Sequence, residues 1–366
     1  MNMKKVLFRF HTLLSVLLIS ALVLSACGAG GNSGNAKASN SGESGADTKK
    51  EERQIGMVTD ASGVNDNSFN QGAWSGLQQL GETEKNVKVK YLESKSNADY
   101  ETNVNNFVKQ GWDLTYGIGF PLEEAIKKVS MANPDSNFAI IDSNLGGEIP
   151  ANVVGVTFKE EQGSFLVGVI AGLTTKTNKV GFIGGMDSAT INRFEIGFKA
   201  GVKTSNPDAE IATAYVGSFG APDLGKQNAA TMYDQGADII FHASGGTGDG
   251  LFNEAIERKK AGKEVWVIGV DMDQSLRFGE EVTLTSMIKR VDNAVIQISK
   301  DFLEGNFQGG KEVQYGLNEN GVSIADTSSV NVAADILERV TQYRQEIIDG
   351  KIVVPRTHDE FDKQFP

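Results

Sequence analysis

Between residues 54 and 288 the chain alternates short runs of β-branched and aromatic residues with stretches whose apolar positions recur at helical spacing. The runs at 54–59, 87–92, 114–118, 138–141, 153–158, 180–183, 211–216, 238–241, 265–270 and 284–288 predict strands. The segments 99–110, 122–131, 164–173, 191–202, 223–234 and 251–260 predict helices. Several runs are apolar at consecutive positions, as in Phe138-Ala139-Ile140-Ile141 and Val265-Trp266-Val267-Ile268. That pattern belongs to parallel strands covered on both faces. Repeated β-α units imply a doubly wound α/β architecture. About five units followed by about five more exceed one compact sheet and suit two lobes; a single eight-unit barrel is the structural alternative.

The N-terminus breaks this pattern. Lys4, Lys5 and Arg9 precede an apolar stretch from Leu13 to Leu24, and small residues follow, which is the layout of an export signal. The stretch is shorter than the ~20 residues that a membrane-spanning helix needs. Leu24-Ser25-Ala26-Cys27 resembles a bacterial lipobox, and Cys27 is the only cysteine in the chain. Residues 1–26 are therefore expected to be a lipoprotein signal peptide, with the chain cut before Cys27 and its sulfur acylated. Residues 27–53, rich in Gly, Ser, Asn and charge, are expected to form a flexible tether.

Composition narrows the chemistry. Of 366 residues, 40% are hydrophobic and 22% charged, which is ordinary for a globular protein, and about 150 residues per domain again suggests two domains. One cysteine excludes intrachain disulfides and thiolate metal cages. Three histidines, at 11, 242 and 358, argue against a histidine-rich metal centre. No cofactor is expected. A formal charge of −12 argues against nucleic acid as a partner, because phosphate binding needs a basic surface.

In open α/β sheets, ligands sit beyond the carboxyl ends of the strands. A carboxylate recurs there: Asp60 after 54–59, Asp142 after 138–141 and Asp271 after 265–270. Singly, each is an ordinary turn or helix-cap residue. Together they favour a ligand that donates hydrogen bonds, and disfavour phosphate or carboxylate. Lys289, just after a strand, is the cation nearest this set in the pattern. Phe69 and Phe194 open helices; both are core residues unless they face a cleft, where they could sandwich a planar ring.

Several motifs in fixed order carry a family resemblance. The lipobox is followed by Thr59-Asp60, Asn65-Asp66-Asn67-Ser68-Phe69-Asn70-Gln71, Arg193-Phe194-Glu195-Ile196-Gly197-Phe198, Gly217-Ser218-Phe219, Gly245-Gly246-Thr247-Gly248, Gly269-Val270-Asp271-Met272-Asp273-Gln274 and Leu284-Thr285-Ser286-Met287-Ile288-Lys289. From about Ile55 onward the sequence resembles the basic membrane protein family, bacterial lipoproteins of the purine nucleoside receptor type. The resemblance implies a type I periplasmic-binding-protein fold, two parallel-sheet lobes joined by three crossovers. It also implies delivery of nucleosides to the permease of an ABC importer. Expected boundaries are 54–177 plus 286–321 for lobe 1 and 178–285 plus 322–366 for lobe 2, with hinges near Thr177, Ser286 and Gly321. By resemblance, Phe69 stacks on the purine, while Asn70 and Asp142 bond the base. Asp271, Lys289, Gly245 and Gly246 contact the ribose, and Asp60 lies in the pocket as a base-contacting or supporting carboxylate. Phe194 is the opposing ring, with Phe219 and Phe241 as alternatives. A monomer anchored to the extracytoplasmic face of the membrane through Cys27 is expected.

Enzyme motifs fail on inspection. Gly246-Thr247-Gly248 imitates a dinucleotide fingerprint, but its third glycine position is Leu251. Ser286-Met287-Ile288-Lys289 matches S-x-x-K, yet no S-D-N or K-T-G segment accompanies it. Asp271-Met272-Asp273 lacks the glycine and the final acid of a calcium loop, where Leu276 and Val282 stand. Three readings stay open within the binding class: importer receptor, sensor partner of a membrane kinase or adhesin, and a sugar or autoinducer receptor of the same fold.

Overall fold

A computed structural model describes residues 51–366; the signal segment, Cys27 and nearly all of the tether lie outside the described residues. In chain order the first half runs β1 (Arg53–Val58), α1 (Phe69–Thr83), β2 (Val87–Leu92), α2 (Tyr100–Lys109), β3 (Leu114–Ile118), α3 (Glu123–Ala132), β4 (Asn137–Ile141), β5 (Val153–Phe158) and α4 (Glu160–Thr174). There follow β6 (Lys179–Gly184), α5 (Ala189–Ser205), β7 (Glu210–Tyr215), α6 (Pro222–Asp234), β8 (Ile239–Ala243), α7 (Gly248–Lys260), β9 (Trp266–Asp271), α8 (Ser275–Phe278) and β10 (Thr283–Lys289). The chain ends with α9 (Val291–Leu303), β11 (Lys311–Tyr315), β12 (Val322–Ile324), α10 (Ala334–Ile348) and α11 (His358–Gln364).

The strands form two open six-stranded sheets, ordered β11-β5-β4-β3-β1-β2 and β12-β10-β9-β8-β6-β7, so the single barrel is not formed. All pairings are parallel except β10 with β12. Alternation along β4 shows why its residues 138–141 are all apolar. Ala139 and Ile141 enter a core cluster that runs through both lobes, while Phe138 and Ile140 enter a second cluster on the opposite face. The second lobe repeats the arrangement, with Phe241 and Ile240 on opposite sides of β8.

The chain crosses between lobes three times, and two hinge positions differ from those expected. The first crossover is at Lys159, not near Thr177, because α4 packs on α5, α10, β10 and β12 of the second lobe. The second is at Arg290, not Ser286. Ser286 lies inside β10, and the crossover delivers α9 onto α1 of the first lobe. The third is the turn at 316–321, which includes the expected Gly321 and joins β11 to β12. Strands β11 and β12 and helices α9 to α11 follow the last element predicted from the pattern. β11 is half polar and exposed, with the sequence Lys-Glu-Val-Gln-Tyr, and carries no strand signal of its own.

Candidate functional site

The carboxyl ends of both sheets face each other across a narrow cleft with a free volume of about 50 Å³. Asp60, Phe69, Asp142, Phe194, Gly245, Asp271 and Lys289 line it, together with Asp66, Phe120, Phe219 and Ser244, which the sequence analysis did not assign to a site, although it held Phe219 as an alternative ring. Asn70 lies directly behind the wall, fully buried. Gly246 is outside the lining, against Phe219 and Asp66. Phe241 is a core residue packed on Phe182 and Phe198.

Asp142 and Asp271 occupy equivalent places in the two lobes, closing β4 and β9, and both adopt left-handed backbone with φ of 63° and 64°. Few residues other than glycine tolerate this, and it costs on the order of 1 kcal/mol at each position. Asp271 accepts a hydrogen bond from the Ser68 hydroxyl of the opposite lobe. Asp142 accepts from Lys289 Nζ at 2.6 Å through one oxygen, and its other oxygen is buried without a partner among the described residues.

A tight loop shapes the first-lobe wall. Asp66 accepts from the backbone N–H groups of Ser68, Asn70 and Gln71, which fixes the start of α1 and with it Phe69. The Asn70 amide donates to Asp60 Oδ1 at 2.9 Å and to Asp66 Oδ2 at 3.2 Å, while its own oxygen has no partner among the described residues. Burial pushes Asp66 up to about 7, against the pull of its three backbone donors. A carboxyl raised in the folded state adds stability below its unfolded pKa, near 4, and that stability is lost as pH climbs through about 7. Urea midpoints are therefore expected to fall between pH 5 and pH 8. Asp66→Asn should flatten that slope by about 2 kcal/mol whatever its own stability. An unchanged slope would mean that Asp66 is ionised throughout.

Lys289 is the electrostatic centre. Its Nζ is 2.6 Å from Asp142 and 3.1 Å from Glu160, and stands 4.9 to 5.2 Å from the ring centres of Phe69, Phe158 and Phe194. Burial alone would lower its pKa; Asp142, Glu160 and Asp271 outweigh that and hold it above the ordinary lysine value. Asp142 and Asp271 are raised, because burial exceeds the pull of Lys289. Glu160 is pushed up by burial but held below the usual range by Lys289 and Arg193, whose Nε lies 2.6 Å away.

The lobes touch at the rim of the cleft. Asn67 donates from its side chain to Asp249 at 3.1 Å, Gln274 donates to the Asn67 carbonyl at 3.1 Å, and the rings of Phe120 and Phe219 meet edge-on at 6.1 Å. Ser286 and Asp273 of the enzyme-like motifs serve structure. Ser286 is buried and accepts from the Gln274 N–H, and an odd spacing along a strand turns it away from the face that carries Lys289. Asp273 accepts from Ser275 and from Thr327, tying a turn.

Glu160 escaped the sequence analysis because the apolar periodicity begins near Ser164 and its polar neighbours read as loop. An acidic pair heading an otherwise apolar helix was the available signal. Phe120 could have been found by the strand-end rule, since it follows β3 almost directly.

Residues 53–358 match the family described as ABC transporter substrate-binding protein, PnrA-like. Over 360 residues the chain is 45% identical to a CD4+ T-cell-stimulating antigen of Listeria innocua, covering 94% of this chain and 98% of the relative. It is 40% identical to the ABC transporter nucleoside-binding protein BmpA of Lactococcus lactis, covering 93% and 97%. It is 32% identical to basic membrane protein A of Borreliella burgdorferi, covering 96% and 98%. Among solved structures, an ABC transporter solute-binding protein from Aeropyrum pernix superposes with a TM-score of 0.77 at 30% identity, covering 85% of this chain and 96% of that one.

Proposed function

The chain belongs to the PnrA-like family of ABC transporter substrate-binding proteins, and on that basis we propose that it captures a purine nucleoside between its lobes for an importer. The observation that carries this reading is the unpartnered, buried oxygen of Asp142 in a wall that also presents aromatic rings. Such a wall suits a flat ring edged with N–H donors, because stacking supplies affinity and the carboxylate selects the edge. The Lactococcus relative, named as nucleoside-binding, supports the same class of ligand.

Phe69 is the first stacking ring, and Asn70 and Asp142 bond the base. Asp271, Lys289 and Gly245 face the ribose, Gly246 supports that loop, and Asp60 braces Asn70. Phe219 is the better second ring, since it is only partly buried and lines the cleft. Phe194 is buried against Phe241 and the Lys289 ammonium. Acylation of Cys27 would hold this receptor at the extracytoplasmic membrane surface. Mass spectrometry of the native protein tests that anchor.

Calorimetric titration of protein stripped of ligand by unfolding and refolding tests the reading. Guanosine, adenosine and inosine should bind, with ribose silent and GMP measurably but much more weakly bound than guanosine. Binding of a sugar but of no nucleoside would leave the fold and remove the base-stacking roles. Phe69→Ala and Phe219→Ala should each weaken guanosine by about ten- to a hundredfold, the usual worth of one stacked ring, and Phe194→Ala by less. A larger loss at Phe194 than at Phe219 would return the opposing ring to Phe194.

A further inference from the structure

Four charged side chains form a line that starts in the cavity wall and leaves it: Asp142 to Lys289 at 2.6 Å, Lys289 to Glu160 at 3.1 Å, and Glu160 to Arg193 at 2.6 Å. Asp142 and Lys289 line the cleft, while Glu160 does not. Glu160 is fully buried at the head of α4, directly after the Lys159 crossover. Among the described lining residues Lys289 is the one cation, set against Asp60, Asp66, Asp142 and Asp271. A phosphate-bearing ligand needs that ammonium to be available. Asp142 can exchange its hold on Lys289 for a ligand, but Glu160 bears on the ammonium from outside the wall and cannot be displaced by anything bound in the cleft.

Resting on the nucleoside reading of the cavity, we infer that Glu160 determines charge selectivity: by neutralising Lys289 it lets the cleft accept nucleosides and refuse their 5′-monophosphates. Arg193 tempers this by sharing the Glu160 carboxylate. In a buried, poorly screened setting, one unit of charge several ångströms from a phosphate changes its affinity by about tenfold or more.

Guanosine and GMP are titrated against the full chain and its variants. Glu160→Gln keeps the shape and removes the charge, so the preference for guanosine over GMP should narrow by about tenfold, with GMP gaining far more than guanosine changes. Removing both charges in Glu160→Gln/Arg193→Gln should bring the preference back toward wild type. A purely structural role would instead weaken both ligands together and would not be reversed by the second substitution. Should Glu160→Gln fail to fold, Arg193→Gln carries the test in the opposite sense: Glu160 then acts on Lys289 alone and the preference widens. Wild-type protein that ignores guanosine would remove the nucleoside reading itself. Wild-type protein that binds guanosine, with an unchanged preference in these variants, would overturn only the role of Glu160.

Discussion

Exchanging Lys289 for Met is expected to lower the stability of the folded protein by about 3–5 kcal/mol at neutral pH and to abolish ligand capture. Lys289 is buried, and Asp142 has no other hydrogen-bond partner among the described residues. Glu160 retains Arg193, so the burden of an uncompensated charge falls on Asp142. Its carboxyl, already raised by burial, loses the cation that opposed the rise and titrates higher still. The sign of the pH dependence follows. Below about pH 6, where the wild-type Asp142 itself keeps its proton in the fold, both proteins respond to pH alike and the lost ion pair has little effect. As pH rises toward the elevated folded value, the variant falls progressively behind wild type. Urea unfolding at pH 4.5 and 7.5 measures this, and equal deficits at both values would refute the charge-pair account.

Gly201→Ala should be nearly as damaging, without touching the site. A Cβ at Gly201 would stand 2.0 Å from the Phe165 carbonyl oxygen and 2.9 Å from the Val169 nitrogen. Both are backbone atoms of α4, which cannot rotate aside as a side chain can. Gly168 and Gly197 meet backbone of the facing helix almost as closely, at 2.2 Å and 2.3 Å, so α4 and α5 pack main chain to main chain there. One methyl group must therefore separate two helices, at a cost of about 3 kcal/mol, the upper end for overpacking. Because Glu160 heads α4 and Arg193 lies on α5, the same shift should loosen the hold on Lys289 and weaken binding. Gly72→Ala is the control. Nothing lies within 4 Å of a Cβ built there, and alanine in helix α1 should leave the protein unchanged or up to about 1 kcal/mol more stable. Chemical denaturation midpoints for the two variants decide the matter.

The lobes and the cleft were legible because their signals are local. Apolar runs with an aspartate at the end mark β4 and β9, and the strand-end rule then places Asp60, Asp142 and Asp271 at one cavity. Lys289 was legible for the same reason. What stayed hidden depends on packing between distant elements. The membership of α4 is set by glycines of α5 more than 30 residues away, so the hinge expected near Thr177 lies at Lys159. The choice between Phe194 and Phe219 turns on which ring the core consumes, and periodicity along one helix does not carry that. Helix α10 follows a loop with no strand pattern, and its partner α4 is far off in sequence.

The position of the Lys289–Glu160 pair also bears on the order of events in time. Each residue adjoins a crossover, Glu160 after Lys159 and Lys289 before Arg290, and both belong to the same lobe. When two bodies swing about a pivot, atoms beside it sweep short arcs. The pair thus stays assembled when the lobes part, while contacts between them, such as Phe120 with Phe219, are broken. Were the cleft to capture nucleosides as proposed, charge would be met on first encounter and ring shape on the final approach, so anionic competitors should be turned away in the association rate, leaving the lifetime of the complex to the aromatic contacts.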